Sequence, residues 1–185
     1  MIILRVTLLI FTYSYLGILS LNAQQMPMAK IREQFFTMDK VDEGALKLYK
    51  SLANTDLTKD PVMLAYHGAS SAAAAGSVGG VWKKFEYFNR GKDELDKAIG
   101  LKPLDAEIRF LRLATQVNTP GFLNYKADIK RDKSFILQTL ATVPANHPNA
   151  YLYLRICRFM LSYVELENAE KNIANQLVVK FNPKK

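Results

Sequence analysis

Few side chains in this 185-residue chain are equipped for catalysis. There are two histidines, His67 and His147, and one cysteine, Cys157. No His-x-x-x-His, His-Glu-x-x-His or Cys-x-x-Cys spacing occurs, so the chain carries no zinc-ligand pattern and no metal or other cofactor is expected. Cys157 sits in the apolar context Tyr-Leu-Arg-Ile-Cys-Arg-Phe, which points to a buried, inert thiol, and only coincidence couples it to His67 as a nucleophilic pair. Acids such as Asp93, Glu94 and Asp96 alternate with Lys92 and Lys97, the pattern of a solvated helix face rather than of two carboxyls facing each other across a cleft. The glycines after the alanine-rich tract lack the Gly-x-x-x-x-Gly-Lys-Ser/Thr spacing of a phosphate loop, and no strand precedes them. The expectation is a protein that is not an enzyme.

Cations at regular positions are the sharper clue. Ala65-Tyr-His-Gly-Ala69, Phe110-Leu-Arg-Leu-Ala114 and Tyr153-Leu-Arg-Ile-Cys157 align at offsets of 45 and 43 residues. Asp60 and Asp105 precede the first two copies at that same spacing, and Pro148 precedes the third. In this register His67, Arg112 and Arg155 occupy one position, a basic column along one side of a stack. Arg109, Arg112 and Gln116 share a helix face by their three- and four-residue spacing. Two readings stay open. The column could line a concave groove that grips an acidic peptide or anionic glycan, with Tyr66, His67, Arg109, Arg112, Gln116 and Arg155 as its contact face. Alternatively these cations pair with acids of adjacent helices, such as Glu107 or Asp128, and only orient the stack.

The elements that would carry these residues are helical, because apolar spacing of three and four dominates and strand alternation is nearly absent. Ile31, Phe35, Met38, Ala45, Tyr49 and Leu52 mark one helix, or two broken near Asp39. Asp60-Pro61 is a capping carboxylate followed by proline at the first helical position. The helix it opens runs through His-Gly-Ala-Ser-Ser-Ala-Ala-Ala-Ala and stops at the glycines from Gly76 to Gly80. Slim side chains there suit close approach of neighbouring helices better than a flexible linker, which would leave Trp82, Phe85 and Phe88 without a partner. Further helices are predicted over 81–101, from Asp105 to about Val117, from about Phe122 to Leu140, over 149–163 and over 166–179. A helix pair repeated at about 40 to 47 residues is solenoid spacing, longer than the tetratricopeptide minimum. The predicted fold is all-α, a short right-handed α-solenoid of seven or eight helices in tetratricopeptide-like hairpins, each burying its apolar face on the next.

Several segments carry a family resemblance: Leu64-Ala-Tyr-His-Gly-Ala69, Lys84-Phe-Glu-Tyr-Phe-Asn-Arg-Gly91, Ala98-Ile99, Ala106-Glu-Ile-Arg-Phe-Leu-Arg112 and Asn118-Thr-Pro-Gly-Phe-Leu-Asn-Tyr125. Through them most of the chain beyond residue 23 resembles a family of exported helical proteins of Bacteroidetes, similar to tetratricopeptide proteins. The resemblance implies a helical fold and an exported location, and no catalytic residue. The chain departs from that family at Gly76–Gly80, where relatives tend to carry longer, charged side chains.

Residues 1–23 have the layout of a secretory signal: Arg5, an apolar run from Val6 to Leu21, then Leu-Asn-Ala23 before Gln24. The run is only about 16 residues, short of the roughly 20 that cross a bilayer, so cleavage without stable membrane insertion is expected. That leaves residues 24–185 as a single domain, periplasmic or secreted. The whole chain carries a net charge of +8; loss of Arg5 lowers it by one. Without a nucleic-acid motif this charge favours an anionic envelope partner over nucleic acid. The leading expectation is a scaffold or adaptor that binds a protein or peptide in the envelope. The rival is an envelope enzyme or small-ligand binder with a pocket between the second and third helix pairs, lined by Tyr87 and Arg109. Self-association end to end through terminal repeats is a third possibility.

Overall fold

A computed structural model describes residues 26–182, so the expected signal segment lies outside the described residues. Among the described residues the chain is all-helical, with eight α-helices and no strand. They are α1 (Met28–Thr37), α2 (Gly44–Leu52), α3 (Pro61–Ala74), α4 (Val81–Leu101), α5 (Ala106–Asn118), α6 (Ile129–Thr142), α7 (Ala150–Tyr163) and α8 (Asn168–Phe181). None of them is long and apolar enough to cross a membrane.

Local chemistry sets most boundaries. Asp60 accepts from the amides of Val62 and Met63 at 2.9 and 3.3 Å, with Pro61 in the first turn of α3. Asp105 does the same for Glu107 and Ile108 at 2.9 and 3.2 Å at the start of α5. The segment before α3 is two helices, parted by a 3-10 turn over Met38–Lys40 and by Glu43 in the left-handed region at φ 49°. Gly44 opens α2 at this corner because a Cβ there would lie 2.3 Å from the Met38 carbonyl oxygen.

One prediction is corrected here. The helix expected from Phe122 begins only at Ile129, because Asn124 is left-handed at φ 48° after a 3-10 turn over Gly121–Leu123. Tyr125, which shares the helical spacing, is instead a loop anchor whose ring meets Phe88 edge-on at 5.9 Å.

The helices lie as neighbouring pairs, α3 with α4, α5 with α6 and α7 with α8, while α3 also rests on α2 and α5. One continuous apolar cluster draws on all eight, from Ile31 in α1 to Phe181 in α8. The three aligned positions face it together: Ala65 and Phe110 are buried in it and Tyr153 packs against it. At its centre runs α3, buried from Met63 to Ala72 and again at Ala74. The alanine-rich tract is therefore packed helix, open to solvent only at Ala73 and its end.

The α3–α4 contact explains the missing side-chain volume. A Cβ on Gly91 would fall 2.4 Å from the Gly68 carbonyl oxygen and 2.6 Å from the Ala72 amide nitrogen, and a Cβ on Gly68 would fall 2.8 Å from the Gly91 oxygen. The two backbones touch, and Ser71 donates across the seam to the Tyr87 carbonyl at 2.9 Å. In this register the first turn of α4 extends past the last turn of α3. Trp82, placed by its spacing on the buried stripe, is consequently 88 % exposed, whereas Phe88, Leu95 and Ala98 further along are buried.

Gly91→Ala should destabilise the fold by about 2 kcal/mol or more, since the new methyl meets backbone that cannot step aside. Gly100→Ala, on the same helix with nothing near its Cβ, should instead stabilise by up to about 1 kcal/mol through helix propensity. Urea melts of the two variants check this, and a Gly91→Ala protein as stable as the parent would contradict the close approach.

Candidate functional site

The six residues singled out from the sequence fall into separate places. Arg109, Arg112 and Gln116 lie together on α5, facing α6. Arg112, 4 % exposed, grips Asp132 with two parallel bonds: Nε donates to Oδ2 at 2.7 Å and Nη2 to Oδ1 at 3.0 Å. Its Nη1 reaches Asp96 of α4 and Asp128, just before α6, each at 3.3 Å. Arg109 adds a third bond to the fully buried Asp132 at 2.7 Å, donates to the Pro103 carbonyl at 2.8 Å, and lies over the Phe135 ring at 4.3 Å. One carboxylate thus holds two guanidinium groups, and the cluster ties α4, α5 and α6. Gln116, fully buried, makes a long 3.5 Å contact to Asp128 and leaves its Oε1 without a partner.

Tyr66 belongs to a different cluster. Its hydroxyl donates to Glu107 at 2.8 Å, and Glu107 takes two further bonds from Arg32 at 2.8 and 2.7 Å. Arg32 also donates to Asn149 at 3.1 Å, so α1, α3, α5 and the start of α7 meet at this point. Burial, and then the Glu107 charge, push the phenol of Tyr66 well above its ordinary value. His67 is 5 % exposed; its Nδ1 lies 2.7 Å from Glu94 of α4 and its ring 4.5 Å from that of Tyr49. Arg155, on α7 and half-buried, pairs with Glu33 of α1 and lies over Phe36 at 4.2 Å.

Each member of the expected basic column meets its own acid: His67 with Glu94, Arg112 with Asp132, Asp128 and Asp96, and Arg155 with Glu33. Tyr66, His67, Arg112 and Gln116 are buried. A contact face made of all six is therefore corrected: these four side chains look at neighbouring helices instead of solvent, and Arg109 and Arg155 are only partly exposed.

Cys157 is wholly buried, and burial pushes its thiol up to about 12. Neither nitrogen of His67 reaches it, since Nδ1 is on Glu94 and Nε2 has no partner. Among the described residues no group of three His, Cys, Asp or Glu side chains could hold a metal ion.

Two grooves, the first of which sequence reasoning did not anticipate, are open to solvent on either side of the C-terminal end of α5. The first, about 520 Å³, lies between α1 and α7 and brings Phe36, Lys40, Tyr151, Arg155, Arg158 and Tyr163 together. Arg158 is exposed and has no carboxylate partner among the described residues. The second, about 550 Å³, lies between the facing ends of α3 and α4 and the α5–α6 connection, and is almost wholly apolar. It occupies the region where a pocket was expected, but Phe85 and Phe88 line it in place of Tyr87 and Arg109. No protein family, curated protein or solved structure matches the chain.

Two tests follow from the buried groups. Arg112→Met should cost about 3–5 kcal/mol by leaving Asp132 under-compensated, and adding Asp132→Leu should restore much of that loss because both charges then leave the interior. Denaturant midpoints of the single and double variants decide it. Cys157 should resist thiol reagents at neutral pH until the protein is unfolded, and rapid labelling of the native chain would contradict its placement.

Proposed function

We propose that the protein is a non-catalytic binding module: an exported, short right-handed solenoid of tetratricopeptide-like hairpins whose groove between α1 and α7 holds an acidic peptide segment bearing aromatic or apolar side chains. The observation that carries this reading is the company kept by Arg155 and Arg158. Arg155, the one member of the basic column on this groove, stands with Arg158 and Lys40 among the faces of Phe36, Tyr151 and Tyr163, with Asp39 as the one acid in the lining. Exposed guanidinium beside exposed aromatic rings suits a carboxylate next to a ring or aliphatic chain. Tyr151 and Tyr163 are 67 % and 64 % exposed, so their hydroxyls stand free to bond a peptide backbone.

An adaptor role agrees with the placement of the buried polar clusters, none of which opens onto this groove. Their job is to set how hairpins meet, which leaves the groove as a rigid shape on which a segment can be held without inducing a large rearrangement. The positive balance of the chain suits an anionic partner in the envelope, and steering by that charge would weaken as salt is raised.

A fluorescein-labelled peptide of alternating Glu and Phe should bind saturably and more tightly at low ionic strength. Arg158→Glu should weaken it roughly tenfold or more, about 1.4 kcal/mol per decade, while Lys97→Glu, on α4, should leave it unchanged. Anisotropy titrations check this. Equal affinity in the two variants, or no saturable binding, would remove the reading.

A further inference from the structure

The second groove differs from the first in what it lacks. Its floor is Ala72, Ala73, Ala75 and Gly76, its walls Phe85, Phe88 and Leu123, and its lip Val81 and Phe122. Three polar residues at the C-terminal end of α5 and just beyond it also line it, and each donates a hydrogen bond to a carbonyl of that helix. Thr115 donates to the Leu111 carbonyl at 2.9 Å, Asn118 to Ala114 at 2.8 Å and Thr119 to Thr115 at 2.7 Å. With their hydroxyl hydrogens used in this way, Thr115 and Thr119 offer the groove no free O–H donor. The one charged lining residue is Lys84. Val81 and Phe122, which both line it, are 66 and 81 % exposed, large apolar side chains of a kind that free surfaces rarely gather.

We propose that this groove binds a long-chain fatty acid, its hydrocarbon tail along the alanine floor and its carboxylate on the Lys84 ammonium at the mouth. The volume falls within the range of small-molecule sites. A peptide is a poorer occupant, because its backbone amides and carbonyls would enter a lining that offers them almost no free partner, and each unpaired group would be penalised. A second copy of this chain is disfavoured by charge. Self-pairing of the patch would bring Lys83 and Lys84 against their own equivalents in a protein of net charge +8. A fatty acid asks for nothing but apolar contact along its tail and one cation at its head. Beside that head the first turn of α4 has no acidic residue and no side-chain cap, so its field also favours an anion.

The floor also accounts for residues that helix packing alone leaves unexplained. Gly68, Gly91 and Ala72 are small because the α3 and α4 backbones touch. Ala73, by contrast, is exposed and Ala75 half-exposed, and a larger residue at either would fill the groove.

The test uses the purified chain, freed of lipid, and displacement of dansyl-undecanoate by palmitate. Palmitate should bind saturably, and affinity should fall roughly tenfold for each two methylenes removed on going to myristate and laurate. Ala73→Phe should weaken palmitate at least tenfold with an unchanged helical spectrum and thermal midpoint. Lys84→Gln should weaken palmitate several-fold but leave hexadecanol unaffected, which separates the head-group contact from the tail. Arg158→Glu should change none of these, so failure here is distinguishable from failure of the peptide groove. No saturable binding, affinity indifferent to Ala73→Phe, binding only to anionic vesicles and not to free palmitate, or closure of the groove by dimerisation in light scattering would each overturn the proposal.

Discussion

The contact on which the molecule is built is the meeting of two backbones, α3 and α4, at Gly68, Ala72 and Gly91. Helices that carry ordinary side chains at their crossing sit about 8–10 Å apart. Where glycine faces glycine, the side-chain layer between the axes is missing and peptide groups come into direct contact. The gain is dense packing along the seam; the constraint is that neither Gly68 nor Gly91 can carry a side chain, since a Cβ on either would meet backbone within 3 Å. With the pair fixed in this way, α2 and α5 both find α3 exposed on its remaining sides, and their apolar residues complete its burial. The chain thus hides its least bulky helix at its centre and places its aromatic residues, Phe35, Phe110 and Phe159 among them, in the surrounding layer where there is volume to fill.

Buried charge supplies what apolar packing lacks, which is direction. Phe and Leu against a neighbouring helix tolerate small slides; Asp132 held by Arg112 and Arg109, or Glu107 held by Arg32 and Tyr66, does not. Ion pairs of this kind roughly break even against apolar replacements in stability, so their contribution here lies in fixing which helix face meets which. His67, Arg112 and Arg155 each face a neighbouring element, and each neighbour offers its own acid.

That pairing marks how far the sequence could be read. Caps at Asp60 and Asp105 were legible because the carboxylate bonds amides two and three residues away, well within a local window. The inner helices were legible because their small and apolar residues recur at helical spacing. Tyr125 was misread because its spacing matched a helix, whereas its burial comes from Phe88, far away in the chain. Trp82 was misread for a related reason: its position on the stripe is right, but α3 ends before it. Whether the first segment was one helix or two turned on Gly44 meeting the Met38 carbonyl, a closure that no periodicity reports. Among the site residues, the possibility that acids such as Asp128 would neutralise the cations was legible. Their enclosure was not, since it depends on which helix of each pair faces inward.

The same geometry decides where recognition can occur. With these buried faces closed by ion pairs and glycine contacts, the two grooves described above lie where elements of unequal length meet at their ends. Both grooves flank the end of α5 for this reason: α7 runs alongside the α1 corner on one side, and α4 overshoots α3 on the other. Residues at such ends come from three separate segments and obey no common period, so Arg158 and Lys84 carry no mark in a pattern search. Their neighbours then set the chemistry of each groove. Where exposed tyrosines and guanidinium groups gather, polar backbone can be satisfied. Where threonines bond their own helix and alanines line the groove, the surface offered is largely apolar. The difference in affinity between a peptide and an acyl chain at these two places would thus follow from hydrogen bonds already made within α5, before any ligand arrives.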